Sequence, residues 1–349
     1  MFVMRERRPR PVLAVAVTAS VLVAGLLAGC GGGATTGASV PSTVSPSAVV
    51  VRSDVTYAAP VPADWLPAAL DVYASPGAKD SPLVVFLHGG GVTKTDLQYR
   101  EIGKTLAARG AVVLVPNWGP TVFPGSRKDA GWAASAIVEE QRSVADEVAC
   151  AVAFAVAHAA EYGADPAHLV LVGHSAGASL AGEVALTPTR AFPGCAAAPV
   201  PATPRGIMLW DGDWLMTDTG LDVIGADLGA LVPAYSPWPS LGGAHTTATV
   251  ELAITPNSRT ELTREATTSS DWLTTRDPTG AMTKDLAKLK AFDDGSIDIV
   301  DVTDGFSASL ADHGIDNTIL QLADSATGHT YLAPADFALM VNHILKLGT

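Results

Sequence analysis

Short, wholly apolar runs recur along the chain and predict buried β-strands. Strands covered by helices on both faces of a parallel sheet read as such continuous runs, and helical stretches separate the runs here. The six runs are Leu83–Leu87, Ala111–Pro116, Leu169–Val172, Gly206–Trp210, Val250–Ile254 and Thr318–Leu322. The pattern predicts one α/β domain with a mostly parallel central sheet.

Other patterns predict the elements around that sheet. Asp54–Ala58 and Leu70–Ala74 alternate apolar and polar residues, which is typical of half-buried antiparallel strands. The Ala-rich stretch Ala134–Ala160 and the amphipathic stretch Pro334–Leu347 predict helices.

Two segments interrupt the alternation of strands and helices. Gly212–Ala248 is loop-like and contains several prolines, and Thr255–Ser296 is polar, with a helix expected over Thr283–Phe292. Both follow strands of the second half of the sheet, where a cap over an active site would arise. A solvated decoration without a role is the alternative for the second segment.

The first thirty residues have the pattern of an export signal. A head with four arginines precedes the apolar run Pro11–Leu27, and the run ends in Leu-Ala-Gly-Cys30. This ending resembles the bacterial lipoprotein signal, which implies cleavage before Cys30 and a lipid anchor on its sulfur. An ordinary secretory signal or a signal anchor is the alternative. The predicted organisation is a signal over residues 1–29, a flexible lipid-attached linker over 30–49 and a folded domain over 50–349, held outside the cytoplasmic membrane.

Composition and charge narrow the possible partners. The 349 residues include 22 Lys plus Arg against 35 Asp plus Glu, a net charge of −13. The leader carries four arginines and one glutamate, so the chain without it has a net charge of −16. Such an acidic chain repels phosphate backbones, which argues against nucleic-acid binding. The content of 48% hydrophobic and 16% charged residues argues against disorder.

The cysteines agree with export. Apart from Cys30, the chain contains only Cys150 and Cys195. In an oxidising compartment these two can form a single disulfide. The alternative is a pair of unlinked buried thiols.

Gly173-His174-Ser175-Ala176-Gly177 is the strongest chemical signal. It follows the predicted strand Leu169–Val172 directly and opens a helix, which is the setting that G-x-S-x-G requires for a nucleophile. The turn would lift the Ser175 hydroxyl above the sheet edge. A serine hydroxyl needs a base to take its proton.

His329 is the predicted base among eight histidines. It stands in Gly328-His329-Thr330, after the last predicted strand, and the carboxyl ends of parallel strands meet at one edge. Other histidines lie beside the motifs or in helices, and His245 lies in a loop where it could touch substrate.

His88-Gly89-Gly90-Gly91 follows the first parallel strand and predicts an oxyanion site. Acyl transfer builds negative charge on a carbonyl oxygen, and amide donors must already point at it. Consecutive glycines leave their N–H groups unshielded, and the amide of Ala176 would add a further donor. The alternative is a plain glycine-rich turn.

Together, His88–Gly91, Gly173–Gly177 and Gly328-His329 resemble the α/β-hydrolase superfamily, over about residues 50–349. Within it the chain resembles esterases with an HGGG loop, close to hormone-sensitive-lipase-like and arylformamidase-like enzymes. The resemblance implies an α/β-hydrolase fold with cap-like insertions after late strands. It also implies that Gly90, Gly91 and Ala176 supply the oxyanion amides.

The acid of the catalytic triad is less defined. The resemblance implies an acid after the penultimate strand, and Gly295-Ser-Ile-Asp298 matches the expected spacing. However, about forty residues separate it from Val250–Ile254. Asp298 is therefore the first candidate and Asp301 the second. Three further candidates stay open: Asp304, Asp211 and Asp213.

The sequence contains no zinc-type cysteine pair, no His-Glu-x-x-His and no phosphate loop, so we expect no metal and no cofactor. The predicted function is that of a serine esterase that cleaves short-chain, acetyl or small aromatic esters through an acyl-enzyme. An amide, formamide or peptide hydrolase with the same triad is the alternative. A non-catalytic binding protein with this fold is a third reading.

Overall fold

A mixed, mostly parallel sheet forms the centre of the computed structural model. Its eight strands, counted over the residues described, are ordered β1-β2-β4-β3-β5-β6-β7-β8. β2 is antiparallel to both β1 and β4, and the remaining neighbours are parallel. The structure describes residues 45, 48–59, 61–121, 130–186, 192–197, 203–212, 246–255, 299–323 and 332–349.

Five of the six apolar runs coincide with strands to within two residues, and the strand that contains Leu169–Val172 begins five residues before its run. The half-buried strand predicted over Asp54–Ala58 is instead found at Val50–Thr56 and is mostly exposed. The strands are β1 Val50–Thr56, β2 Ala69–Ala74, β3 Ser81–Leu87, β4 Val112–Pro116, β5 Ala164–His174, β6 Gly206–Trp210, β7 Thr249–Ile254 and β8 Asn317–Gln321. The prediction of an α/β domain with a mostly parallel sheet is confirmed.

Helices cover both faces of the sheet. Those described are α1 Leu97–Ala108, α2 Ala134–His158, α3 Ala176–Leu186, α4 Ile299–Asp312 and α5 Pro334–Leu347, and a 3₁₀ turn, Ala159–Tyr162, extends α2. The helices predicted over Ala134–Ala160 and Pro334–Leu347 are therefore present.

Two apolar clusters place these helices on opposite faces. Leu83, Val85 and Leu87 of β3 pack with residues of α2, α3 and α4. Val84 and Phe86 of the same strand pack with α1 and α5. This alternation is what a strand buried on both faces requires. The stretch Ser135–Tyr162 is long and apolar enough to span a membrane, but here it belongs to this core.

The outer strands differ from expectation in burial. β2 is antiparallel as predicted, but it is buried rather than half-buried, because Asp71 lies within an internal ion pair. β8 was expected to be buried on both faces, but Thr318 and Ile319 are exposed because the strand ends the sheet.

The parallel strands bring four chain segments to one edge. The carboxyl ends of β3, β5, β6 and β7 lead into His88, Ser175, Asp211 and Thr255, respectively. Ligand and active sites of open parallel sheets form at this edge. Most of the segments Gly212–Ala248 and Thr255–Ser296, including the predicted helix Thr283–Phe292, lies outside the described residues.

Candidate active site

Ser175 occupies a strained turn between β5 and α3. Its φ is 55°, in the left-handed region that non-glycine residues rarely adopt, and its backbone N–H donates to the carbonyl of Trp210 at 2.8 Å. Such strain persists where the surrounding structure enforces it, and it clusters at functional sites. The strand–turn–helix setting predicted for this motif is present.

The two motif glycines are required by the close approach of backbone. A Cβ at Gly173 would lie 2.2 Å from the carbonyl oxygen of Gly177. A Cβ at Gly177 would lie 2.3 Å from the carbonyl oxygen of His88, on the neighbouring loop. Any side chain at either position would therefore push α3 away from β3 and β5.

The loop His88–Gly91 reaches the nucleophile. A Cβ placed on Gly89 would lie 3.4 Å from the Cβ of Ser175 and 3.2 Å from the hydroxyl oxygen of Tyr99. Gly91 adopts a φ of 72°, in the left-handed region that favours glycine. The glycine loop and the serine turn, far apart in sequence, therefore lie side by side.

The amide of Gly89 already has an acceptor. It donates to the Tyr99 hydroxyl at 2.9 Å, so it does not serve the oxyanion. The predicted donors are the next two glycines, Gly90 and Gly91, and Ala176. Ala176 is the first residue of α3, where backbone N–H groups have no partner within the helix and carry the positive end of its dipole.

His88 is a structural residue of this loop. It is 1% exposed, stacks on Trp118 with ring centroids 4.9 Å apart, and its Nδ1 lies 2.8 Å from the carbonyl oxygen of Gly89. Burial lowers the pKa of His88 to about 4. The ring is therefore neutral at pH 7, and its Nδ1–H donates to Gly89.

The sequence patterns did not indicate two residues that lie beside the site. Tyr99 lies on α1 and contacts both Gly89 and His174, and Lys94 forms a buried ion pair with Asp71 just after the glycine loop. Neither belongs to a sequence motif. A hydroxyl on the otherwise apolar buried face of α1 was the only signal for Tyr99.

Asp211 is the described carboxylate next to the serine turn. It follows Trp210, whose carbonyl holds the amide of Ser175, and it is fully buried with a φ of 48°. Its backbone N–H donates to Ala253, and its Oδ1 accepts the N–H of Thr255 at 2.7 Å. These bonds fix the carboxylate at the edge between β6 and β7.

The structure describes few of the other candidates for the triad. His329, Asp298, Asp213 and His245 lie outside the described residues, and Asp301 falls in α4 at a position whose side chain is not described. Asp304 is exposed on α4. The triad therefore stays a prediction.

The predicted disulfide is confirmed. Cys150 of α2 and Cys195 are linked across 45 residues that include the serine turn. Cys30 lies outside the described residues. Within the part of the chain that is described, no cluster of His, Cys, Asp or Glu could hold a metal ion.

Comparisons with known proteins agree with this architecture. The BD-FAE family model matches residues 70–194, which contain the glycine loop and the serine turn. A search of curated protein sequences found no match.

Solved esterases share the fold at low sequence identity. Esterase B from Lactobacillus rhamnosis aligns with a TM-score of 0.54 and 15% identity over 87% of each chain, and it has also been solved inhibited by a tributyrin phosphonate. A carbohydrate esterase from gut microbiota gives 0.52 and 12%, over 88% of this chain and 99% of that chain. Esterase 2 from Thermogutta terrifontis gives 0.52 and 17%, over 87% and 93%. With its strand order, serine turn and these likenesses, the chain has the α/β-hydrolase fold.

Proposed function

We propose that the protein is a serine-dependent hydrolase of carboxylic esters that works through an acyl-enzyme. The observation that carries the proposal is the strained Ser175 at the start of α3, in contact range of the glycine loop. A nucleophile, amide donors and a helix N-terminus then meet where a tetrahedral intermediate would form.

The reaction proceeds in two steps. Ser175 attacks the ester carbonyl while His329 takes its proton and passes it to the leaving alcohol. The amides of Gly90, Gly91 and Ala176 hold the oxyanion. Water activated by His329 then attacks the acyl-serine, and collapse of the second intermediate releases the acid and restores the Ser175 hydroxyl.

The acid that orients His329 is Asp298 in this proposal, with Asp301 as the alternative. Asp211 is a further candidate because it is buried at the same sheet edge, one residue beyond the carbonyl that holds Ser175. Asn substitutions at the three positions separate them. The acid is the residue whose replacement lowers kcat by on the order of 10³–10⁴-fold while the protein stays folded.

Covalent labelling tests the nucleophile. A fluorophosphonate probe should modify Ser175, as identified by peptide mass spectrometry, and hydrolysis of p-nitrophenyl butyrate should stop with it. Ser175→Ala and His329→Ala should each lower kcat by about 10⁴-fold or more. Ser143→Ala, which removes a hydroxyl bonded to the Glu139 carbonyl on α2, and His313→Ala, at an exposed position, are the matched controls. Unchanged turnover in Ser175→Ala contradicts the proposal.

The finer substrate class is also a proposal. We expect acetyl, short-chain and small aromatic esters to be cleaved faster than long-chain esters. A panel of p-nitrophenyl esters of increasing length, run beside N-formyl, anilide and peptide substrates, tests this. Faster cleavage of the formamide or peptide substrates would instead support the amide-hydrolase alternative.

We propose further that the protein is exported and anchored through a lipid on Cys30. The Cys150–Cys195 disulfide supports an oxidising compartment, where such bonds persist. In a bacterial host, labelled palmitate should be incorporated into the wild type and not into Cys30→Ser. Cys150→Ser is the control, since it removes a different cysteine and should keep the label.

A further inference from the structure

Tyr99 connects the two halves of the candidate site. It lies in the first turn of α1, is 2% exposed, and its hydroxyl lies 2.9 Å from the amide nitrogen of Gly89 and 2.8 Å from Nδ1 of His174. Gly89 belongs to the glycine loop after β3, and His174 directly precedes the nucleophile on β5. One oxygen atom therefore bridges two segments that are 85 residues apart in the sequence.

The direction of the hydrogen bond between Gly89 and Tyr99 is certain. An amide N–H can only donate, so the Tyr99 oxygen is the acceptor from Gly89. The same oxygen also bonds Nδ1 of His174, which accepts from the hydroxyl when the ring proton is on Nε2 and donates to it when the proton is on Nδ1. The ring of His174 packs on Trp210, with centroids 3.9 Å apart, so its orientation is fixed from the other side.

The bridge controls the direction of the loop amides. Because the Gly89 N–H is held towards Tyr99, the peptide planes that follow start from a fixed orientation, and these planes carry the predicted oxyanion donors. An oxyanion donor acts only when it is already aimed at the developing charge.

We infer that Tyr99 is a positioning residue that holds the oxyanion loop in register with the serine turn through its hydroxyl. The inference rests on the proposed serine esterase function. The hydroxyl of Tyr99 thereby helps to stabilise the transition state, and this effect is separate from the packing of its ring. The ring already packs against Phe86, with centroids 5.7 Å apart, and a phenylalanine ring would keep that contact.

Tyr99→Phe is the direct test, with p-nitrophenyl butyrate as substrate. We expect kcat to fall by about 10–100-fold with KM nearly unchanged, because the loop amides stabilise the transition state more than the bound ester. The rate constant for fluorophosphonate labelling of Ser175 should fall by a similar factor. If the Tyr99→Phe substitution only loosened the fold, the melting temperature would fall, but kcat would not fall selectively while KM stayed the same.

Tyr57→Phe is the matched control. Tyr57 is also fully buried, and its hydroxyl contacts the carbonyl of Asn117 and the carboxylate of Glu147, neither of which belongs to the glycine loop or the serine turn. The Tyr57→Phe variant should lose about as much thermal stability as Tyr99→Phe and should keep kcat within about twofold of wild type.

A pair of variants at His174 tests the same bridge even if the Tyr99→Phe variant does not fold. His174→Asn keeps a polar group near the Nδ1 position that can donate to or accept from the Tyr99 hydroxyl, whereas His174→Leu removes it. We expect the Leu variant to lose at least fivefold more kcat than the Asn variant.

The outcomes separate the two proposals. A folded Tyr99→Phe with wild-type kcat and labelling rate, or equal kcat in the two His174 variants, overturns the positioning role and leaves the esterase function intact. A wild-type protein that neither hydrolyses esters nor reacts with the probe overturns both.

Discussion

The ammonium group of Lys94 lies 2.5 Å from a carboxylate oxygen of Asp71, inside the protein. Both side chains are nearly inaccessible, with exposures of 3% and 6%. A second carboxylate, that of Asp54, lies 2.9 Å from the ammonium and is largely in solvent. Burial alone would lower the pKa of Lys94, but the hydrogen bonds and charges of Asp71 and Asp54 outweigh it and raise the pKa above its usual value.

This ion pair ties the end of the glycine loop to β2. Lys94 follows Gly91 by three residues, and its backbone N–H also donates to the side chain of Asn117 at 3.0 Å. Lys94→Met should therefore destabilise the protein by about 3 kcal/mol, because it leaves the Asp71 carboxylate buried without its cation. Urea unfolding at pH 7 measures the loss.

Lys104→Met is the control for that substitution. Lys104 pairs with Glu101 at 3.1 Å on the surface of α1, with exposures of 29% and 49%. Such surface pairs contribute about 0–1 kcal/mol. Similar losses in the two variants would mean that the buried pair does not hold the loop in place.

Much of the fold could be predicted because its signals are local. Strands such as Gly206–Trp210 are covered on both faces and so read as uninterrupted apolar runs, and Gly173–Gly177 combines a motif with the strand and helix that it needs. The cysteine pairing followed because only two cysteines remain once Cys30 is assigned to the lipid anchor.

The features that could not be predicted depend on contacts between residues that are far apart in the sequence. The partners of Lys94 come from β1 and β2, and Tyr99 meets a residue 75 positions away. The spacing of apolar and polar residues along the chain does not indicate such pairings. The exposure of β8 likewise follows from its place at the end of the sheet, which an apolar run does not reveal.

Glu147 is a buried acid that should make stability depend on pH. It lies on α2, where its carboxylate accepts the N–H of Gly119 at 2.7 Å and contacts the Tyr57 hydroxyl at 3.1 Å. Burial, the largest influence, raises the pKa of Glu147 to about 7, although both hydrogen bonds act to lower it.

The sign of the pH effect follows from proton binding. Below pH 4.5 the carboxyl group is protonated in both the folded and the unfolded chain, and its contribution to stability is complete. Between pH 4.5 and 7 only the folded chain keeps the proton, so the free energy of unfolding falls as the pH rises, by on the order of 3 kcal/mol. Glu147→Gln should remove this part of the dependence.

Urea unfolding at pH 5 and pH 8 tests the prediction. The difference between the two pH values should shrink in Glu147→Gln and persist in Glu139→Gln, which changes an exposed glutamate of the same helix. An identical pH dependence in the wild type and Glu147→Gln would contradict the assignment.

The disulfide should contribute substantially to stability. Closing a loop of 45 residues restricts the unfolded chain, which corresponds to about 4 kcal/mol in the chain-entropy model. Dithiothreitol should therefore lower the melting temperature of the wild type and leave that of the double variant Cys150→Ala with Cys195→Ala unchanged. Equal melting temperatures with and without reductant in the wild type would show that the bond adds nothing.

Two glycines beside the nucleophile, Gly177 and Gly89, should differ in their tolerance of a methyl group. At Gly177 a Cβ would meet the backbone oxygens of His88 and Leu87 at 2.3 and 2.6 Å, and backbone cannot move aside without separating α3 from β3. At Gly89 the nearest atoms, at 3.2 to 3.4 Å, belong to side chains rather than backbone, and a methyl group requires them to shift by only a few tenths of an ångström.

Gly177→Ala should therefore lose the folded state or at least about 3 kcal/mol of stability, the range of strongly disruptive core changes. Gly89→Ala should stay folded and lose activity instead, because its methyl group presses on Tyr99, His174 and Ser175 at once. Urea unfolding combined with p-nitrophenyl butyrate turnover distinguishes the two effects. A Gly177→Ala protein of wild-type stability would mean that the packing of α3 against the glycine loop is looser than these contacts require.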